Sequence, residues 1–298
     1  MPRWKFMELV IRIVGIIIPD LVVSAIGYFY GRLRKPDMTW INRLCTDLLF
    51  PLLIFTSMAS KDFHILEYLP AIGISLLMMI GSGLMAWGVS RLLGYNLHAF
   101  IPSMVFTNVA NMGLPLTLLA FGEEMLPAAI AIFMVFSLVH FTIGIRILAP
   151  QASLRGILQG PMLWAMILGV MMSLAGLALP PWLATCTKML GDTAIPLGLF
   201  ALGVGFSSFR ISNWSMGIVG AALCPLSSLL VTWLLLRFIP LAPKMQGLLL
   251  LYAALPPAVM NYILAEQYKQ DPGLVSAIVV CGSIASVIFV PFALYLAL

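Results

Sequence analysis

Twice in this chain, asparagine, glycine and proline interrupt a long apolar run. The first interruption is FTNVANMGLP at 106–115, carrying Asn108, Asn111, Gly113 and Pro115. The second is ALPPAVMN at 254–261, carrying Pro256, Pro257 and Asn261. Proline removes a donor and clashes with the turn before it, and glycine and asparagine are weak helix formers, so a helix should break at both places. A helix that restarts after such a break presents free N–H groups and roughly +0.5 of an elementary charge. Pro115 and Pro257 suit the first turn of a restart. Two restarts facing one cavity make a site for an anion, with Asn108, Asn111 and Asn261 placed to orient a carboxylate. A single proline kink would serve packing alone; a pair with asparagines attached favours binding.

Three aspartates could move ions. Asp20, Asp47 and Asp192 lie in or near the ends of apolar runs, where a carboxylate costs about 2.5–3.5 kcal/mol at membrane depth. Asp20 follows Pro19 near the middle of the first run and is the best placed to couple transport to protons. Asp47 and Asp192 can also be read as interfacial, capping helices or pairing with nearby bases, and a structural role for all three competes with coupling. His140, beside Ser137 and Thr142, reads as a hydrogen-bonded packing histidine rather than a proton relay. Glu266 reads as interfacial.

Other chemistries find little support. Asp47 and Asp192, with LGD at 190–192 and ALP at 254–256, loosely match an intramembrane aspartyl protease, whose two carboxylates would share a proton. Met189 stands where that pattern wants glycine, however, and Thr46 rather than tyrosine precedes Asp47. No zinc helix, nucleophile elbow or P-loop occurs, so no metal, cofactor or ATP is expected and the chain does not read as an enzyme. Cys45, Cys186, Cys224 and Cys281 show no metal-ligand spacing and read as thiols in apolar segments.

These residues must be held by a bundle in a bilayer. Only 9% of the 298 residues are charged and 62% are hydrophobic, with a mean hydropathy of +1.07. A soluble domain carries about 25% charged residues, so this composition excludes one. At roughly 20 residues per crossing, the chain holds about ten spans. They fall at about 10–31, 41–59, 68–93, 98–121, 126–148, 157–178, 182–206, 213–237, 245–266 and 273–296. The first run is long and lacks a small-residue cleavage motif, so it reads as a span rather than a signal peptide. The net charge of +5 comes from Lys and Arg scattered singly at span ends, which argues against nucleic acid. The side bearing Arg32, Arg34, Lys35, Arg43 and Arg91 carries more Lys and Arg than the other and should be cytoplasmic, with both termini outside. Methionines and glycines such as Gly156 and Gly160 read as packing and lipid contacts.

The halves also repeat. TDLLFPLLIF at 46–55 and GDTAIPLGLF at 191–200 share Asp47/Asp192, Pro51/Pro196, Leu52/Leu197 and Phe55/Phe200 at one constant spacing. A similar spacing relates Pro19 to Pro161, and Pro115 to Pro256 and Pro257. Five spans per half is an odd number, so the second half (151–298) enters the membrane opposite to the first (1–150). Inverted repeats with paired broken helices are a common transporter plan.

At this point the chain resembles the auxin efflux carrier family, whose members include plant auxin exporters and bacterial carriers of small dicarboxylates. The resemblance rests on AIGYFYGRL at 25–33, LLFPLLIF at 48–55, the N-x-x-N-M-G-L-P element at 108–115, AIPLGLFALG at 194–203 and ALPP at 254–257. It implies a fold like that of sodium/proton antiporters, with the fourth and ninth spans crossing at their broken centres. It also implies substrate binding at Asn111, Gly113, Pro115, Pro256 and Pro257, and a homodimer. The long cytoplasmic loop of the plant exporters is absent, as expected of a bacterial inner-membrane member.

The resulting expectation is an all-α polytopic membrane protein that carries a small organic anion, malate-like or malonate-like, coupled to protons or sodium. One repeat-derived bundle would move against the other. The rival is a channel, or a sensor that binds its ligand without carrying it.

Overall fold

The computed structural model describes residues 3–59, 63–150, 160–208 and 214–298. The expected loop charges Lys61, Arg155 and Arg210, together with Gly156, lie outside the described residues. Those described are all-helical, apart from one isolated bridge between Thr107 and Pro257. In chain order the helices are α1 (Arg3–Arg34), α2 (Thr39–Met58), α3 (Ile65–Leu93), α4 (Leu97–Val105) and α5 (Val109–Phe121). There follow α6 (Glu123–Leu148), α7 (Pro161–Leu174), α8 (Pro181–Asp192) and α9 (Ala194–Ser208). The last are α10 (Trp214–Leu236), α11 (Pro243–Ala253), α12 (Val259–Gln267) and α13 (Pro272–Ala297).

Proline opens many of these helices, at Pro161, Pro181, Pro243 and Pro272, where its missing N–H costs nothing. Asn96 caps α4 by accepting from the His98 N–H at 3.0 Å, and Asp271 caps α13 by accepting from Leu274 at 3.2 Å. Gly94 ends α3 in the left-handed conformation, which glycine adopts without steric cost.

Among the described residues, seven helices are long and apolar enough to cross a membrane: most of α1, then α2, α3, α6, the α8–α9 stretch, α10 and α13. The chain is a multi-pass membrane protein. Its outward surface agrees, since Leu92, Ile288 and Phe29 are well exposed, a display that water would penalise and lipid accepts. Four expected spans differ from the sequence reading. The stretches at 98–121 and 245–266 are each two shorter helices, and that at 157–178 is a single short helix, α7. The run at 182–206 is interrupted at Thr193. Wide turns at Cys45–Leu49 and His140–Gly144 lie inside α2 and α6.

Two packing groups emerge. In one, α1 lies along α9, and α2 packs on α7 and α8. The first of these contacts is very close. A Cβ at Gly203 would lie 1.9 Å from the Ser24 carbonyl oxygen, and one at Gly27 would lie 2.2 Å from that of Phe200. In the other group α10 packs against α13 and α3, with α4, α6, α11 and α12 around them. Ser82 and Ser227 share a buried hydrogen bond of 2.9 Å across α3 and α10. Each group draws helices from both halves of the chain, so a bundle made of one half alone is not the unit of packing.

Candidate functional site

The two interruptions meet. Thr107 and Pro257 form an antiparallel bridge, flanked by the Asn108 N–H donating to the Pro256 carbonyl at 2.8 Å and the Ala258 N–H donating to Phe106 at 2.9 Å. Non-helical backbone in a membrane must find partners inside the protein, and here each break satisfies the other. Pro256 and Pro257 have no N–H to orphan and present carbonyls only, which suits a short bridge. Gly282 on α13 makes the room, since a Cβ there would lie 2.6 Å from the Pro257 ring.

The helices restart at different residues from those expected. After Asn108 the chain enters a wide turn at Val109–Gly113 and runs straight into the segment that holds Pro115. Pro115 is therefore more than a turn inside α5. The wide turn is the physical reason, because it accommodates a residue that cannot donate back to the preceding turn. Pro257 likewise precedes the restart, with Ala258 flanking α12 at Val259. The free first-turn N–H groups belong instead to residues such as Ala110 and Asn111 on α5, and Val259 and Met260 on α12. All four residues line one cavity.

That cavity has a volume of about 980 Å³. It runs from the bridge outward to Arg32, Lys35, Asp37 and Glu266, all exposed at its mouth. A hydrogen bond from the Thr39 side chain, and after it the Thr39 N–H donating at 2.9 Å, hold the Asp37 carboxyl below the usual carboxylate range. On the other side of the bridge Leu114, Leu116, Tyr252 and Leu255 are fully buried. Thr117 donates to the Gly113 carbonyl at 2.6 Å and lies 3.4 Å from the Tyr252 hydroxyl.

The residues singled out in the sequence divide by position. Asn108 and Asn111 line the cavity. Asn108 is buried, and its Nδ2 has no partner among the described residues. Asn111 faces α9, where a Cβ at Gly198 would come within 2.7 Å of its Oδ1. Gly113, Pro115, Pro256 and Pro257 stand behind the cavity wall, with Gly113 against Leu255 and Tyr252. Asn261 is buried beside the bridge; its Nδ2 donates to the Phe106 carbonyl at 2.9 Å, leaving Oδ1 without a partner.

The three aspartates are apart from the cavity. Asp20 is buried on α1 with Oδ2 unpartnered. Asp47 is exposed and accepts from Thr46 at 3.2 Å. Asp192 is exposed and pairs with Lys188 at 3.1 Å, as the interfacial reading anticipates. Glu266 stands exposed at the mouth.

His140 is buried and packed, as its sequence reading expects, and it also reaches the cavity. Its ring stacks on Phe106, with centroids 4.1 Å apart and planes within 5°. It lines the cavity, and its Nε2 is buried with no partner. A Cβ at Gly144 would collide with both rings, at 2.6 Å from Phe106 and 3.0 Å from His140. The sequence also passed over Thr46, Ser137, Gly198 and Tyr262, which complete the walls; Gly198 alone carried a signal, inside AIPLGLFALG.

Comparison with known proteins agrees with this architecture. The family model described as membrane transport protein matches residues 12–155 and 148–294. An uncharacterized transporter of Methanothermobacter thermautotrophicus is 28% identical over 289 residues, 91% of this chain and 94% of the relative. An uncharacterized transporter of Methanocaldococcus jannaschii is 23% identical over 277 residues, 86% of this chain and 90% of the relative.

Proposed function

The chain belongs to the membrane transport protein family, that of the auxin efflux carriers, and from that premise we propose that it is a secondary transporter of a small organic anion. A carboxylate or dicarboxylate of malate or malonate size binds at the bridge between the two breaks. The observation that carries this reading is the pair of helix starts, at Val109 and Val259, lining one cavity with Asn108 and Asn111. Their dipoles favour negative charge, and the amide side chains select a planar acceptor. Arg32 and Lys35 at the mouth draw an anion inward.

Transport follows as alternating access. The cavity is open towards Arg32 and Lys35 and closed towards Tyr252, so the site faces one side of the membrane. By the excess of basic residues that side is the cytoplasm, both termini lie outside, and the membrane is a cell's inner membrane. In this reading the chain makes ten spans in two inverted repeats, with α4–α5 and α11–α12 as the broken, crossing pair. The moving body is the group around α10 and α13, which carries both breaks, and α1, α2, α7, α8 and α9 are its frame. A proton or sodium ion accompanies the anion, with Asp20, Asp47 and Asp192 as the carboxylates in question, and two copies associate in the bilayer.

The test is uptake of labelled malate, malonate and related carboxylates into proteoliposomes, with and without a pH gradient, for wild type and Asn111→Ala. Saturable flux lost in the variant supports both carrier and site. Flux retained in the variant keeps the carrier and moves the site. Absence of flux for every carboxylate favours a sensor.

A further inference from the structure

We propose that His140 is a proton site of this carrier, charging together with the bound anion; the proposal deepens the transporter reading and rests on it. Four observations converge on its ring. It lies in the wall of the cavity that holds Asn108 and Asn111. Its buried Nε2 and the buried Oδ1 of Asn261 find no partner elsewhere, and the two side chains interact with each other. Both residues line one small niche, together with Ser103 and Leu148. The Asn261 amide is held by its other end, since Nδ2 is committed to the Phe106 carbonyl. The atom it offers to the niche is therefore an acceptor, which a neutral imidazole can use with one nitrogen and an imidazolium with either.

The ring stack supports the same assignment. Phe106 lies flat against His140 at 4.1 Å, and an aromatic face attracts a cation. Gly144 keeps the pair together by leaving the space that a side chain would fill. The carbonyl of Phe106 accepts from Ala258 and Asn261, so the stack is tied to the start of α12, whose first turn faces the anion.

Charge decides how the proton and the anion depend on each other. The niche contributes no carboxylate or base among its described residues. The titratable groups sharing the larger cavity are Arg32, Lys35, Asp37, Cys45, Tyr262 and Glu266, of which Arg32, Lys35, Asp37 and Glu266 stand at the mouth. Charging a buried imidazole alone is costly, and burying an anion alone is costly; each is cheaper with the other present. A proton from water on the open side bonds to the unprotonated ring nitrogen, the imidazolium and the carboxylate occupy the site together, and on the opposite side the proton and the anion are released and the ring returns to neutral. Binding is then mutually cooperative, with a coupling expected at about tenfold. Asp20, buried elsewhere on α1, is not needed for this step.

The experiment uses the full chain in proteoliposomes and two modes of malonate transport. Counterflow without a gradient requires only binding and movement of the site. Gradient-driven uptake also requires the proton. His140→Gln should keep counterflow at saturating malonate and lose the stimulation by an inward pH gradient, about tenfold or more; Asp20→Asn, the rival carboxylate, tells the two sites apart. Stimulation intact in His140→Gln, or lost only in Asp20→Asn, overturns the proposal. If His140→Gln loses both modes, ring-nitrogen NMR of histidine-labelled wild type decides. An imidazolium signal that appears on adding malonate, absent from the variant, supports the proposal, and a ring that stays neutral overturns it. Absence of both modes in the wild type overturns the transporter reading itself, and the proton site with it.

Discussion

The Asn108 N–H donates to the Pro256 carbonyl oxygen at 2.8 Å, joining two residues from opposite halves of the chain at the one place where both helices are broken. This bond, with that from Ala258 to Phe106, fixes how the two helix starts face each other. A shift of either break would orphan a buried donor, at about 1–3 kcal/mol each. The two breaks are thus held as one piece, and the proposed anion site with them.

Asn261 should be the side chain on which that piece depends most. Its Nδ2 bond to Phe106 is buried, and Asn261→Leu removes it while leaving a hydrophobe against polar backbone. We expect a stability loss of about 1–3 kcal/mol, seen as a lower unfolding midpoint in detergent, and uptake reduced more than that loss explains. A variant with unchanged midpoint and unchanged uptake would show that the Ala258 bond alone holds Phe106.

Gly198 offers a probe of the site from the opposite wall. A Cβ there comes within 2.7 Å of Asn111 Oδ1, so Gly198→Val pushes the amide out of its place. Uptake should weaken chiefly through a higher KM, because the amide's part in holding the anion is lost. Gly88→Ala, with nothing within 4 Å of its Cβ, should leave transport unchanged. Equal KM values for wild type and Gly198→Val would place the anion away from Asn111.

Much of this was legible in the sequence because it depends on local chemistry. Apolar runs specify helices, and the clustering of Asn108 with Pro115, and of Pro256 with Pro257, marks where they are interrupted. The points of restart were not legible, because a wide turn at Val109–Gly113 absorbs Pro115 and only the partner strand at 256–258 makes Asn108 the boundary. Nor was the place of His140 in the cavity wall, since its neighbours Phe106 and Asn261 are distant in sequence. The grouping of helices eluded the sequence for the same reason. Repeats show kinship between segments, whereas packing pairs α1 with α9 across the halves.

The α1–α9 contact yields a prediction about the frame. The Gly203 position sits so close to the Ser24 carbonyl that a Cβ would fall at 1.9 Å, and both neighbours are backbone in regular helix. Neither can yield without separating the helices. Gly203→Ala should cost about 1–3 kcal/mol, the scale of overpacking, and lower the unfolding midpoint. Gly15→Ala on the same helix α1, where a Cβ meets nothing within 4 Å, should leave the midpoint level or raise it, since alanine is the better helix former by about 1 kcal/mol. Similar midpoints for both variants would mean that α1 and α9 lie farther apart than the structure places them.

The direction in which the site opens can be read by labelling. Thr46 lines the cavity between its mouth and the bridge, whereas Cys186 is exposed on the outside of α8 and would confuse the signal. With Cys45→Ala and Cys186→Ser in place, Thr46→Cys should react with a membrane-impermeant thiol reagent from the side that carries Arg32 and Lys35, and hardly at all from the other. That side is the interior of intact cells if the excess of basic residues sets the topology, so inside-out vesicles should label and whole cells should not. A transported anion should slow the reaction by occupying the cavity or turning it to the other side. Labelling from both sides at equal rates would mean a continuous pore past Leu114 and Tyr252, and the closed packing there would then have to open without the anion.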